Sequence, residues 1–67
     1  MIVKKITKEK YEVNKDNRNY TVQKLSVSEW DILDSDGETL FLANSLSHAK
    51  RVIESGSIIE YRYDQEK

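Results

Sequence analysis

Residues 29–54 read EWDILDSDGETLFLANSLSHAKRVIE, and this stretch determines the predicted fold. Trp30 and Ile32 alternate with more polar positions, which is the pattern of a strand with one buried face. The turn residues at 35–37, Ser-Asp-Gly, predict a hairpin closed by a three-residue loop with glycine in the left-handed region. The stretch therefore begins as a β-hairpin.

The length of this loop predicts the register of the hairpin. Three loop residues put four apolar side chains on one face, in the pairs Ile32–Leu40 and Trp30–Leu42. Loops of two or four residues would separate those pairs. The same register places two further apolar residues on the opposite face, Leu33 and Phe41.

A helix follows the hairpin at about 46–54. Ser45 is a favourable N-cap, and Gly56 lies where a C-terminal cap is expected. The apolar residues recur at helical spacing and form one stripe, made of Leu46, Ala49, Val52 and Ile53. We expect this stripe to pack on the sheet.

Further strands are predicted on both sides of this unit, at 2–7, 10–13, 20–25 and 58–63. The polar run at 14–19 predicts a loop, and 64–67 a frayed tail. The alternation slips after Val22, which favours a turn around Leu25–Ser28, with a bulge as the alternative.

These elements predict a single small α+β domain over residues 1–67. An antiparallel sheet of about four to six strands carries one helix on one face, in the order βββββαβ. The alternative is a small, partly open barrel capped by the helix. The predicted core comprises Val22, Trp30, Ile32, Leu40, Leu42, Leu46, Ala49, Val52, Ile53, Ile59 and Tyr61.

Composition narrows the class of protein. The chain has 67 residues, no cysteine, 37% hydrophobic and 34% charged residues, and a net charge of −1. Residues 1–28 carry seven basic and three acidic groups, whereas 29–67 carry four basic and nine acidic groups. The basic start MIVKKITKEK is not followed by an apolar segment, so we expect a cytoplasmic protein without a signal peptide or membrane association.

No motif for catalysis, a cofactor or a metal is apparent. Aligning Gly37 with the glycine of a calcium loop puts Ile32 and Ala43 where carboxylates are required. His48 is the only histidine, which is too few for a usual zinc site. Two isolated glycines cannot form a phosphate-binding loop. We therefore predict that the protein is not an enzyme and holds no cofactor or metal.

The hairpin and helix resemble a pattern of small bacterial and phage proteins. In these, a Trp-x-x-x-Asp-x-x-Gly hairpin leads into a Leu-x-x-Ala-Lys helix, matched here by Trp30, Asp34 and Gly37 and then by Leu46–Lys50. The order hairpin, helix and terminal strand is also similar in outline to a small phage inhibitor of bacterial RNA polymerase. The resemblance implies a fold and no functional residues.

The leading functional prediction is a non-enzymatic, protein-binding module of phage or mobile-element origin that binds and modulates a larger host protein with a basic surface. Its predicted contact residues are Glu29, Asp31, Leu33, Asp36, Glu38 and Phe41. If residues 2–13 cover the pair Leu33 and Phe41, this surface loses its main support.

Two alternatives remain open from the sequence. A single-stranded nucleic-acid binder would use the basic N-terminal strands, through Lys4, Lys5, Lys8, Lys10, Arg18, Tyr11 and Tyr20. A structural homo-oligomer would associate through an exposed edge strand.

Overall fold

The computed structural model of the chain describes residues 1–58. Its elements are β1 (Ile2–Thr7), β2 (Lys10–Lys15), β3 (Arg18–Ser26), β4 (Glu29–Leu33), β5 (Thr39–Ala43) and α1 (Leu46–Ser55). The five strands form one antiparallel sheet in the order β1-β2-β3-β4-β5. The predicted α+β class is confirmed, and the sheet is open rather than closed into a barrel. The predicted strand at 58–63 lies outside the described residues except for Ile58, whose backbone is helical.

The turns explain how the strands meet so closely. Asp16 and Asn17 both have positive φ, 53° and 64°, as a two-residue type I′ turn requires. The predicted loop at 14–19 is therefore shorter, and its outer residues extend β2 and β3. At the next hairpin, a register shift at Leu25 accompanies a turn at 27–28, so both the bulge and the turn occur.

The β4–β5 loop has the predicted length. The Asp34 amide donates to the Glu38 carbonyl at 2.9 Å, which leaves three residues in the loop. Gly37 has a φ of 84°, in the left-handed region. The predicted closure and the reason for the glycine are confirmed.

The predicted register beyond that loop is wrong. Leu33 pairs with Thr39 as expected, but a bulge at Leu40 then shifts β5 by one residue. Ile32 consequently lies opposite Phe41, and Trp30 lies opposite Ala43.

The bulge reverses two side-chain assignments. Leu42, predicted in the core, is 52% exposed. Phe41, predicted on the opposite face, is half-buried and packs against the core. A bulge adds one residue to a strand, so every later side chain of that strand changes face.

The core lies between α1 and one face of the sheet, with α1 against β3, β4 and β5. Leu46 is half-buried, and the predicted core residues Ile59 and Tyr61 lie outside the described residues. Four members were not predicted: Val13, Tyr20, Ala43 and Ile58. The buried set is Val13, Tyr20, Val22, Trp30, Ile32, Leu40, Ala43, Ala49, Val52, Ile53 and Ile58.

Both predicted caps of α1 are confirmed. The Ser45 hydroxyl accepts from the His48 amide at 3.1 Å, and Gly56 is left-handed with its amide donating to the Ile53 carbonyl. The His48 ring reaches back, where its Nδ1 accepts from the Asn44 amide at 3.1 Å. The Ser45 bond satisfies a backbone donor that the helix start leaves without a partner, and the Gly56 bond satisfies a carbonyl at the helix end.

Candidate protein-binding face

The sheet has two chemically different faces. Residues directly opposite each other on antiparallel strands share a face, and successive residues alternate. The face toward α1 holds the strand residues of the core. We call the other one the outer face, and the register assigns to it Ile2, Lys4, Thr7, Lys10, Glu12, Asn14, Asn19, Thr21, Gln23, Ser26, Glu29, Asp31, Leu33, Thr39 and Leu42.

Two leucines lie near each other on the outer face. Leu42 is directly opposite Asp31, and Leu33 is two residues further along the same strand. Leu33 is half-buried, whereas Leu42 is 52% exposed. The Asp31 carboxylate accepts from the Thr39 hydroxyl at 3.1 Å, which fixes its position across the hairpin. Leu33 and Leu42 therefore flank the Asp31 carboxylate, which is positioned by its hydrogen bond to Thr39.

An open groove of about 580 Å³ lies on this face beside Leu33. Outer-face residues of β2, β3 and β4 form most of its lining, and the β4–β5 turn closes one end, with Glu12, Thr21, Gln23 and Leu33 among its residues. Small-molecule pockets are usually enclosed and mainly apolar. A groove lined by amide, hydroxyl and charged groups is better suited to a protein surface.

Charges on the outer face nearly cancel. Lys4 lies opposite Glu12, and Lys10 lies opposite Gln23, which is itself opposite Asp31. Glu29 lies two residues before Asp31 on the same face, so the face carries two lysines and three carboxylates. It lacks the basic stripe on which nucleic-acid binding depends.

The remaining predicted protein-binding residues lie around the β4–β5 hairpin. Glu29 is exposed at the start of β4, where it accepts from the Ser26 hydroxyl at 3.2 Å. Asp36 and Glu38 are exposed at the turn. Phe41 is the exception, because the bulge turns it toward α1, where its ring meets His48 edge-on at 5.7 Å. The prediction that Leu33 and Phe41 share the outer face is therefore wrong, and Leu42 lies on that face with Leu33 instead.

The N-terminal strands do not fold over Leu33. β1 and β2 continue the sheet beside β3, so they widen the outer face. Residues 2–13 therefore do not cover Leu33, so the condition that would have weakened the protein-binding prediction is not met by these residues.

The residues predicted to bind nucleic acid are divided between surfaces. Lys4 and Lys10 lie on the outer face, whereas the register puts Lys5 and Arg18 on the face of α1. Lys8 is in the β1–β2 turn.

The two tyrosines of that prediction also face α1. Tyr20 is only 6% exposed and belongs to the core. Tyr11 is half-buried, with the Trp30 ring at 6.1 Å and the Lys50 ammonium at 5.8 Å from its centroid. Tyr20 is therefore closed to base stacking, and the Tyr11 ring is already in contact with Trp30 and Lys50.

The acidic turn has a structural role. Asp34 is buried, and its Oδ1 accepts from the amides of Asp36 and Glu38 at 2.9 and 3.0 Å.

Within residues 1–58, His and acidic side chains nowhere form a group of three that could hold a metal ion. The described helix is also too short and polar to cross a bilayer.

Comparisons with protein-family models, with curated proteins and with solved structures find no match. The resemblance to small bacterial and phage proteins therefore stays a prediction. The outer face must be interpreted from its own chemistry.

The sequence did not indicate Leu42 as a surface residue. The run Leu40-Phe41-Leu42 is uniformly apolar, so alternation cannot show where the strand shifts. The available signal was Ala43, whose small side chain fits opposite the large Trp30 better than leucine would.

Proposed function

We propose that the protein is a non-enzymatic module that binds a larger protein through its outer face. The observation that carries the proposal is the exposure of Leu42, at 52%, beside the half-buried Leu33 and the carboxylate of Asp31. Contiguous apolar patches rimmed by polar groups mark protein contact sites, and Leu42 and Leu33 would form the centre of such a patch.

The partner surface would be apolar at its centre and basic at its margin. Leu33 and Leu42 would supply most of the affinity, because desolvated apolar anchors dominate interface energetics. The exposed carboxylates Glu29, Asp36 and Glu38 would mainly raise the association rate. Binding would thus modulate the partner by covering part of its surface.

A comparison of two matched variants tests this proposal. Leu42→Glu introduces a charge on the outer face, and Val27→Glu makes the same change at a 90% exposed position in the β3–β4 turn. Each is used as bait for proteins from a lysate, with thermal unfolding to verify the fold. A partner retained by wild type and Val27→Glu but lost by Leu42→Glu supports the proposal. Equal recovery with both folded variants would refute the assignment of the outer face.

A further inference from the structure

β1 is an edge strand with an unusually open environment. In the described part of the sheet it is hydrogen bonded to β2 alone, and all six of its residues are exposed. Every second residue of such a strand directs its N–H and C=O away from its neighbour. These groups form a template for one more strand.

The side chains of β1 favour strand formation and remain partly apolar at the surface. Ile2 is 70%, Val3 37% and Ile6 43% exposed. All three are β-branched, and such residues fit a pleated sheet. An added strand would bury part of this apolar surface.

Lys4 and Lys5 determine which strand can be added. They are consecutive, so they point to opposite faces, with Lys4 opposite Glu12 and Lys5 opposite Tyr11. The single ion pair shorter than 4.0 Å in residues 1–58 joins Lys15 to Asp16, so neither lysine of β1 has one there.

A second copy of this chain is a poor occupant. Because opposite residues share a face, the two most central antiparallel pairings of two β1 strands put either Lys4 opposite Lys4 or Lys5 opposite Lys5 of the other copy. Like charges directly opposite one another destabilise a sheet. Carboxylates at two consecutive positions of an incoming strand would instead meet one lysine on each face.

We infer that β1 binds an extended acidic segment of a partner protein, which adds to the sheet as a sixth strand. Backbone hydrogen bonds give the contact its affinity, and the two lysines select consecutive acidic residues flanked by β-branched ones. This site is at the sheet edge and does not depend on the outer-face proposal. Leu42→Glu should leave it unchanged.

Designed peptides test the inference on the full chain. The probe is an acetylated, amidated TIDEVT peptide, and its charge-reversed counterpart is TIKKVT. Isotope-labelled protein is titrated while amide shifts and hydrogen exchange are recorded. We expect TIDEVT to bind and to protect alternate amides of residues 2–7, and TIKKVT to bind at least about tenfold more weakly.

A charge swap provides the matched control. Lys4→Glu/Lys5→Glu should reverse the peptide preference, whereas Arg18→Glu/Arg51→Glu, with the same net charge change at exposed positions of β3 and α1, should retain it. A TIPEVT peptide should not bind wild type, because proline lacks the N–H that a strand donates. This last arm holds even if the double variant fails to fold.

Several results would overturn the inference. These are no binding of TIDEVT at about 1 mM peptide, equal binding of TIKKVT, equal binding of TIPEVT, or protection that maps outside β1. Light scattering that shows a dimer dissociated by Lys4→Glu/Lys5→Glu would identify a second copy as the occupant instead.

Discussion

Trp30 lies directly opposite Ala43, the smallest side chain of β5, and its indole is 8% exposed. The bulge at Leu40 makes this pairing possible. We predict that Ala43→Leu lowers the free energy of unfolding by about 1–3 kcal/mol, because the added carbons overpack a filled site. Urea unfolding followed by fluorescence of the single tryptophan measures the change. Leu42→Ala should lower the free energy of unfolding much less. If Leu42→Ala instead destabilised the protein more than Ala43→Leu, the register predicted from sequence would be supported.

The start of α1 allows a second prediction. Ser45→Ala and His48→Ala should each lower stability by about 0.5–2 kcal/mol, because each removes an acceptor from a backbone amide. Ser47→Ala is the matched control: it lies in the same turn, is exposed and should be nearly neutral. Thermal unfolding by circular dichroism would contradict the capping role if all three variants melted together.

Asp34 should tolerate one substitution and not another. Its Oδ1 accepts two amides of the β4–β5 turn. Asp34→Ala removes that acceptor and should cost about 1–3 kcal/mol, because two backbone donors of the turn lose their partner. Asp34→Asn keeps a carbonyl oxygen and should cost less. Equal losses in urea unfolding would show that the negative charge, rather than the acceptor, is what matters.

The β2–β3 turn offers a stabilising change. Asn17 has a φ of 64°, where glycine carries no Cβ penalty. Asn17→Gly should raise the free energy of unfolding by about 0.5–1 kcal/mol. Gln23→Gly, at an exposed strand position, should lower it instead, which separates turn preference from a general effect of glycine. A loss of stability with Asn17→Gly would argue against a type I′ turn.

Local chemistry explains which parts of the fold were predictable. Ser45, Gly37 and Gly56 act within their own turn, so each could be identified from its neighbours in sequence. Strand alternation likewise located all five strands. The Asp16–Asn17 turn was harder, because six consecutive polar residues do not reveal which two adopt positive φ.

The register of β5 depends on contacts between distant residues. The bulge at Leu40 lets Ala43 lie opposite Trp30 and lets Phe41 pack near His48. Neither contact can be predicted from the uniformly apolar run at 40–42. The candidate site was predicted in part for the same reason. Asp31 and Leu33 precede the bulge and lie on the expected face, whereas Phe41 follows it and does not.

The agreement between strand order and chain order has a kinetic consequence. Each of the five strands in residues 1–58 pairs there only with its neighbours in sequence, so this sheet can form by successive short loop closures. Folds dominated by such local contacts generally fold fast. β1 can also separate from β2 without breaking any other pairing among the described strands, so its amides should exchange with solvent before those of β3.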